Sequence, residues 1–483
     1  MMESKESPAE GHPPATKPPF IDDKGYIAFA PNDAANPKNW PRARRWWLTF
    51  ATISLAVNST FASSAPSGTL RGVSLQFGVS LQVAGLSMTL FLLGYCAGPL
   101  VFAPLSEFYG RQRVFFVTVP LYVAFGFLCA FSPNLAGVLV GRFLTGTFAS
   151  VPLSNVPGVL ADIWDYDTRG KAMAIFSILI QVGPALGPVV SGFLELTMGW
   201  RWTYYVLIMF GAVTAIPLLT VPETYAPIIL QRRAREVRKS KLSGYESVRA
   251  PIEEDTKTVF GVLKLASSRP WRILFDPISF VAAIYLTFLY TLVYMLFSIY
   301  PIIYQQHRGW NAGIGQLPVL TSAIGGILGG FVTFFHGEYS KKKLGLQKSP
   351  EDRLVLAKAG GVCFPLFMFF FAWTGNYDWM PWVVPLIGGA GVSACIMIVF
   401  TAFTNYLVDT YTIHAASAIA INTVCRSAGA ASAPLWTNYM FDALGIGPGG
   451  SVIAGVPVLL AVFPFVFYKY GKQIRSASKF ASS

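Results

Sequence analysis

Charge is scarce in this sequence. Aspartate, glutamate, lysine and arginine together make up 13% of its 483 residues, whereas a soluble domain has about 25%. Only four histidines occur, and the five cysteines show no spacing typical of metal ligands. A Gly-Lys-Ser or Gly-Lys-Thr phosphate-binding loop is also absent from the sequence. These absences argue against a soluble globular protein, a metal centre and the use of ATP by this chain.

Long apolar runs are what the sequence has instead. A helix needs about 20 apolar residues to cross a hydrocarbon core of about 30 Å. Only helices or closed barrels satisfy the backbone in lipid, so the runs predict an all-α polytopic membrane protein with twelve transmembrane helices. The predicted spans are 46–66, 83–105, 113–131, 135–161, 171–194, 202–221, 277–303, 313–336, 355–374, 381–407, 414–440 and 451–470.

The positive charges fall on alternate connections between these spans. Both chain ends and the connections after the second, fourth, sixth and eighth spans hold 32 of the 37 lysines and arginines. Because positively charged loops stay in the cytoplasm, we predict that both termini are cytoplasmic. The net charge of +13 then reflects topology and contact with anionic lipid, and not binding to nucleic acid.

The same pattern predicts the domain organisation. Residues 1–40 are polar and rich in proline, and they lack the short apolar region of a signal peptide. We expect a monomer, and in the linker a surface helix over the basic stretch 229–241. The predicted units are a disordered tail over 1–45, a six-helix bundle over 46–221, a linker over 222–276, a second six-helix bundle over 277–470 and a tail over 471–483.

A short motif follows the second span. Residues 105–113 read Leu-Ser-Glu-Phe-Tyr-Gly-Arg-Gln-Arg. Gly110 permits a tight turn, and Glu107 is placed to pair with Arg111 or with a neighbouring helix end. The string resembles the loop 2–3 signature of the major facilitator superfamily, in the form found in fungal twelve-helix drug:proton antiporters.

Further segments resemble the same family, and together they cover about residues 36–475. They include Asn-Pro-Lys-Asn-Trp-Pro at 36–41, Gly-Arg-Phe-Leu-Thr-Gly at 141–146 and Gly-Pro-Ala-Leu-Gly-Pro at 183–188. The resemblance implies two six-helix bundles around a central cavity, alternating access, and a substrate site near the midplane of the membrane.

The resemblance also assigns roles to residues. The motif of the fifth span places two Gly-Pro pairs four residues apart, which permits close helix approach and a bend. In family terms this motif favours export. The antiporter motif residues are Gly183, Pro184, Gly187 and Pro188. The candidate gating and coupling residues are Glu107, Gly110, Arg111, Arg113, Arg142 and Asp162.

Two arginines lie inside predicted spans, where a cation is costly and usually functional. Arg142 matches the family motif of the fourth span, which implies a role in proton coupling. Arg426 lies in the middle of the eleventh span and is the candidate contact for an anionic substrate. The alternative for both is structural, with the arginine bonded to carbonyls or locking a bundle. The other candidate substrate residues are Asn422, Tyr294, Ser298 and Tyr300.

Carboxylates are missing from the middle of the spans. Ser298 stands where related antiporters often have glutamate, and the stretch 69–72 is less acidic than is usual. Both departures disfavour a polyamine or a cationic drug as substrate. They also leave the group that carries the proton unidentified.

The sequence therefore favours a secondary active exporter of a small organic metabolite, driven by proton antiport, in the plasma membrane or an internal membrane such as the vacuole. The substrate is expected to be a secondary metabolite or an organic acid such as an itaconate-like dicarboxylate. The alternatives are a multidrug or polyamine efflux pump and a facilitator or importer of the same fold. No cofactor is expected beyond the proton gradient. Because no nucleophile–base set is present, an enzyme is not expected.

Overall fold

The computed structural model describes residues 20–22, 25–239, 247–253, 259–344, 349–478 and 480. The predictions for residues 1–19 and 240–246 lie outside the described residues. Helices dominate the described residues, and the first half contains seven of them. They are α1 (Arg42–Ser64), α2 (Leu70–Phe77), α3 (Leu81–Tyr109), α4 (Arg111–Phe131), α5 (Leu135–Ile163), α6 (Tyr166–Thr197) and α7 (Arg201–Leu218).

Two linker helices and the second half follow. The linker contains α8 (Ala226–Lys239) and α9 (Val259–Leu274), so the helix predicted over 229–241 is present over its described residues, 229–239. The second half contains α10 (Pro277–Pro301), α11 (Leu320–Leu344), α12 (Leu354–Gly375), α13 (Val383–Tyr411), α14 (Ala415–Leu444), α15 (Ile446–Leu460) and α16 (Val462–Ala477).

Ten helical segments among the described residues are long and apolar enough to cross a membrane. The remaining two predicted spans are α1 and α14, which carry more polar residues, including Asn58 in the former and Arg426 in the latter. Both pack among the others, α1 against α5, α6 and α7, and α14 against α10 and α3. The predicted all-α fold of two six-helix bundles is therefore confirmed. The last span is divided at Ala461 into α15 and α16.

Each half packs mainly on itself. In the first bundle α3 and α4 pack on α5, and in the second α13 packs on α11 and α12. The bundles meet where α14 lies along α3 and α11 lies along α6. We call the end that carries Gly110 and the linker the termini face, and the opposite end the far face.

The hydrogen bonds that join the two bundles, among the described residues, lie toward the far face or at the middle of the helices. Thr89 of α3 donates a hydrogen bond to the carbonyl of Ala431 at 2.7 Å. The most central one is from the Cys96 thiol to the carbonyl of Val424, at 3.5 Å. Toward the termini face the linker helix α9 contacts both α3 and α14. The far face is therefore closed by the bundles themselves.

Residues ahead of α1 pack on the linker, which differs from the predicted tail. The sequence predicts disorder through residue 45, but Ile27 is buried with Ala234 and Val248 in a small apolar cluster. Asp33 forms an ion pair with Arg233 of α8. Apolar burial and charge pairing thus order residues 25–41, which low overall hydrophobicity alone did not predict.

The arginines of α8 pair within the chain instead of facing lipid freely. Arg238 donates two hydrogen bonds to Glu253, both at 2.8 Å, and they hold the pKa of that carboxyl below its usual range. Burial alone raises the pKa of Asp33, but the N–H of Ala35 and the guanidinium of Arg233 outweigh it and lower that pKa. The linker is therefore tied together by charge-assisted hydrogen bonds.

The predicted antiporter motif lies at the contact between α6 and α1. Gly183 faces Thr60 and the carbonyl of Val57, and Gly187 faces Ser64 and Phe61. Pro188 has no N–H, so it leaves the carbonyl of Pro184 without its helical donor. The hydroxyl of Ser64 donates to that carbonyl at 2.8 Å. The Gly-Pro pairs thus bring two helices together and supply the acceptor that joins them.

We predict that Gly183→Ala destabilises the protein by about 1–3 kcal/mol, the usual cost of overpacking. A Cβ at this position would collide with Thr60 Oγ1 and lie 2.9 Å from the carbonyl oxygen of Val57. Thermal unfolding of the purified protein in detergent measures the change.

The matched control is Gly330→Ala in α11, where a Cβ would meet no atom within 4 Å. Alanine's higher helix propensity should make this control neutral or up to about 1 kcal/mol stabilising. Equal melting temperatures for the two variants would contradict the packing of α6 on α1.

Candidate functional site

Arg426 of α14 lies between aromatic rings of two other helices in the second bundle. Its guanidinium carbon is 4.8 Å from the ring centre of Tyr290 and 5.0 Å from that of Phe400. Its Nε is buried without a hydrogen-bond partner among the described residues. An unsatisfied guanidinium N–H is costly inside a protein. This group is therefore a ready donor for an acceptor that enters from outside the chain.

Tyrosines extend the aromatic surface around Arg426 to the first bundle. The rings of Tyr290 and Tyr294 are 5.3 Å apart, and the hydroxyl of Tyr294 shares a hydrogen bond of 2.8 Å with that of Ser63 in α1. Tyr95 of α3 donates to the carbonyl of Ser59 at 2.6 Å. The predicted residue Tyr294 thus bridges the two bundles near Arg426.

Two predicted substrate residues lie elsewhere. Tyr300 is ten residues beyond Tyr290, about 15 Å along the helix, and its hydroxyl shares a hydrogen bond of 2.7 Å with Thr321. Ser298 is buried eight residues beyond Tyr290. Helix α10 carries both residues toward the far face, away from Arg426, and substrate-binding roles for Tyr300 and Ser298 stay predictions.

Asn422 does lie close to Arg426, because residues four apart share one helix face. It is buried one turn nearer the termini face, and its amide donates to the carbonyl of Ala418 at 2.8 Å. Its Oδ1 has no hydrogen-bond partner among the described residues. A role for Asn422 in binding stays a prediction.

Sequence reasoning missed Phe400 and Tyr95 as parts of this surface. Each is an ordinary aromatic residue within an apolar span, and no motif singles it out. Their positions depend on how α3 and α13 rotate about their axes. Nothing in the order of residues along either span shows that rotation.

Arg142 has the environment of a structural arginine bonded to carbonyls, which was the alternative to a coupling role. It is fully buried, with 1% of its surface exposed, and its Nε donates to the carbonyl of Ser87 at 2.8 Å. Its Nη2 donates at 2.9 Å to the carbonyl of Ala62, which Pro66 leaves without a helical donor. The guanidinium carbon lies 4.1 Å from the ring centre of Phe91. Coupling through Arg142 stays a prediction.

Gly110 makes the turn after α3 possible. Its φ of +99° lies in a region that favours glycine, and a Cβ there would collide with Glu223 Oε2. The N–H of Arg111 donates to Glu223 Oε1 at 3.0 Å, as do those of Thr224 and Tyr225. The carboxylate of Glu223 therefore stabilises the turn by accepting hydrogen bonds from three backbone N–H groups.

Arg111 pairs with a residue far away in the sequence. Its Nε is 3.6 Å from Asp162 Oδ2, and both side chains are largely buried. Its Nη1 also donates to Ser106 at 2.5 Å, and its guanidinium lies over the ring of Tyr225. Burial raises the pKa of Tyr225, so the ring beneath the cation stays uncharged.

The expected pairing of Glu107 with Arg111 is wrong. Glu107 is exposed and forms no ion pair in the described part of the chain, while Arg111 turns inward to Asp162. The reason is that α3 ends at Tyr109, so the two residues lie on different helices. Arg113 is exposed. Gating roles for Glu107 and Arg113 stay predictions.

Comparison with known proteins identifies relatives of the whole chain. The family model described as Major Facilitator Superfamily matches residues 48–472. The efflux pump FUB11 of Gibberella moniliformis is 41% identical over 94% of this chain and 77% of its own length. The MFS-type efflux pump MFS2 of Trichophyton rubrum is 41% identical over 95% of this chain and 78% of its own.

A solved structure shares the fold. The xylose transporter XylE from E. coli, in a partially occluded inward-open conformation, superposes with a TM-score of 0.64. It is 16% identical, and the match covers 88% of this chain and 98% of XylE. At this identity the likeness concerns the fold alone.

We predict that Asp162→Asn destabilises the protein by about 1–3 kcal/mol, because it leaves the Arg111 guanidinium without its carboxylate. Thermal unfolding in detergent measures the effect. The matched control Glu107→Gln, at an exposed site, should change stability by less than about 0.5 kcal/mol. If Glu107→Gln is the more damaging variant, Arg111 pairs with Glu107 after all.

Proposed function

Because the chain belongs to the Major Facilitator Superfamily, we propose that this membrane transporter exports a small organic anion in exchange for protons. The substrate moves outward as the two bundles open alternately to the two sides of the membrane. The proton gradient supplies the energy, and no cofactor takes part.

The unpartnered Nε of Arg426 carries the proposal of an anionic substrate. The guanidinium faces aromatic rings and no carboxylate among the described residues contacts it. A carboxylate of the substrate would pair with the cation and accept the free N–H. Aromatic walls suit an apolar body attached to that carboxylate. A secondary metabolite or an itaconate-like dicarboxylate fits this description.

Outward transport is supported by the names of the relatives, which are efflux pumps. A second candidate is multidrug efflux, since a multidrug transporter from Aspergillus fumigatus is 38% identical over 95% of this chain. A polyamine is disfavoured, because Arg426 would repel it. A facilitator or importer of the same fold is the remaining alternative.

The charge partition supports a termini face in the cytoplasm and, with export, a location in the plasma membrane. The direct bundle contacts toward the far face then describe a state closed to the outside. We infer that in this state the substrate reaches Arg426 from the cytoplasmic side, where an exporter collects it and where the linker helix α9 contacts α3 and α14. An internal membrane such as the vacuole is the alternative location.

We predict that a reporter active only in the cytosol gives signal when fused to either chain end. An even number of predicted spans separates the two chain ends, so both ends lie on the same side of the membrane. That side also holds 32 of the 37 basic residues. As a control, the same reporter inserted after Trp379, an exposed residue of the far face, should stay silent. Signal there, or silence at one end, would overturn the orientation.

We predict that Arg426→Gln weakens binding of a carboxylate substrate by about 10- to 100-fold, the worth of a charged hydrogen bond. Itaconate and 2-naphthoate serve as a small and an apolar probe. Binding to purified protein is followed by the rise in melting temperature with ligand concentration.

Arg142→Gln is the comparison variant in the same assay and in proteoliposomes. It should bind the probe like wild type, exchange it in counterflow, and fail to accumulate it under a pH gradient. Unchanged affinity in a folded Arg426→Gln protein would remove the anion site at Arg426. Gradient-driven accumulation by Arg142→Gln would remove the coupling role of Arg142.

A further inference from the structure

One face of α6 runs along the first bundle far beyond the antiporter motif. Gly183, Gly187, Ser191 and Glu195 follow one another at four-residue spacing, which places them on one side of the helix. The first two face α1, Ser191 faces Gly68, and Glu195 lies against Gly72 of α2. This face of small residues therefore ends in a carboxylate at the far face.

The carboxylate of Glu195 occupies the space that a side chain at residue 72 would fill. A Cβ on Gly72 would collide with Oε1 and lie 2.8 Å from Oε2. Glu195 is half-buried as a residue, but its Oε2 is buried, and no hydrogen bond or ion pair reaches that oxygen from the described residues. Burial without a partner favours the neutral form of a carboxyl group over its anion.

The charged groups on neighbouring elements do not compensate Glu195. Arg71 of α2 is exposed to solvent. Arg201 of α7 donates to the carbonyl of Ser132 at 3.1 Å and lies over the ring of Trp200. From the second bundle, the buried Gln316 lies next to this helix end, and Arg308 of the same segment donates to the carbonyl of Tyr377 and lies over the ring of Tyr304. Gln316 carries no charge that stabilises an anion.

Other carboxylates that lie within or next to the spans have partners or face solvent. Asp162 pairs with Arg111, and Asp276 accepts hydrogen bonds from Tyr411 and Ser478. Glu107 and Asp442 are exposed. Asp352 accepts from the N–H of Ser349. Five further carboxylates pair with cations, in Glu223–Arg232, Glu351–Arg475, Asp409–Arg353, Asp165–Arg45 and Asp378–His307. Glu195 differs from all of these because it is partly buried and has neither an ion pair nor a hydrogen bond from the described residues.

The turn that carries Glu195 also closes the far face. A Cβ on Gly192 would lie 2.5 Å from the carbonyl oxygen of Ala312 in the second bundle. A Cβ on Gly313 would lie 2.7 Å from the ring of Phe193 and 2.9 Å from Leu196. Separation of the bundles here would bring water to the side of this turn that faces Ala312 and Gly313, while Gly72 of the same bundle stays against Glu195. Its surroundings therefore depend on whether this end is closed.

We propose that Glu195 is the proton-exchanging carboxylate of the far face. It takes up a proton from water as the bundles close at this end, and it returns the proton to water when they open. The inference rests on the proposed proton coupling and names a group whose protonation is tied to closure of the far face. Closure then requires a neutral Glu195, so a rise in pH opens the far face.

The experiment measures far-face opening as a function of pH, without any substrate. Spin labels are placed by Leu75→Cys and Trp379→Cys, two highly exposed positions in different bundles, after replacement of the five native cysteines. Pulsed electron paramagnetic resonance on protein in lipid nanodiscs gives the distance distribution between the labels. In wild type, the ratio of open to closed molecules should rise with pH, by up to about tenfold per unit for one proton.

Glu195→Gln carries a permanently neutral side chain, so its far face should stay closed, with less than about a twofold change between pH 5 and pH 8. The matched control Asp442→Asn removes an exposed carboxylate at the same face and should titrate like wild type. Gly72→Ala should weaken the pH response of the distance distribution, because the added Cβ displaces the carboxylate of Glu195. Adding the shorter Glu195→Asp should restore part of the pH response.

Each outcome separates this inference from the proposed function. A folded Glu195→Gln protein whose far face still opens with the wild-type pH response overturns the role of Glu195. So does a wild-type distance distribution that does not change with pH. Failure of wild-type proteoliposomes to accumulate itaconate or 2-naphthoate under a pH gradient counts against the proposed function. It leaves the distance measurement to decide on Glu195.

Discussion

The first bundle depends on backbone carbonyls that prolines leave without a donor. In lipid every such group needs a partner from within the protein. Pro66 frees the carbonyl of Ala62, which accepts from Arg142 of α5, and Pro188 frees that of Pro184, which accepts from Ser64 of α1. Helix α1 is thus bonded to α5 and α6 at the sites where helical hydrogen bonding is interrupted.

This constraint explains why one buried cation is tolerated without a carboxylate. Arg142 satisfies acceptors that would otherwise be unpaired, and the ring of Phe91 lies against its face. Arg426 is surrounded by rings as well, but its Nε lacks an acceptor. Two arginines that look alike in the sequence therefore differ in one respect, since the second has capacity left for a ligand.

Local patterns predicted the fold well, because span length and alternating loop charge are properties of contiguous residues. They failed where two residues close in sequence are separated by structure. Glu107 and Arg111 lie on either side of the turn at Gly110, and the true partner Asp162 is 51 residues away. Likewise the residues around Arg426 come from α10, α13 and α14, whose relative rotation no single segment encodes. The order in residues 25–41 depends on a linker more than 190 residues later.

In the described part of the chain, the two bundles meet through contacts between uncharged groups. Thr89 and Cys96 bond to carbonyls, Ser63 bonds to Tyr294, and glycines approach backbone. None of the ion pairs seen between described residues joins the two bundles, because each lies within one half of the chain, within the linker, or between the linker and the residues ahead of α1. Dissolved ions weaken attraction between exposed charges and leave buried neutral contacts almost unaffected. The packing of the two bundles against each other should therefore be nearly indifferent to ionic strength.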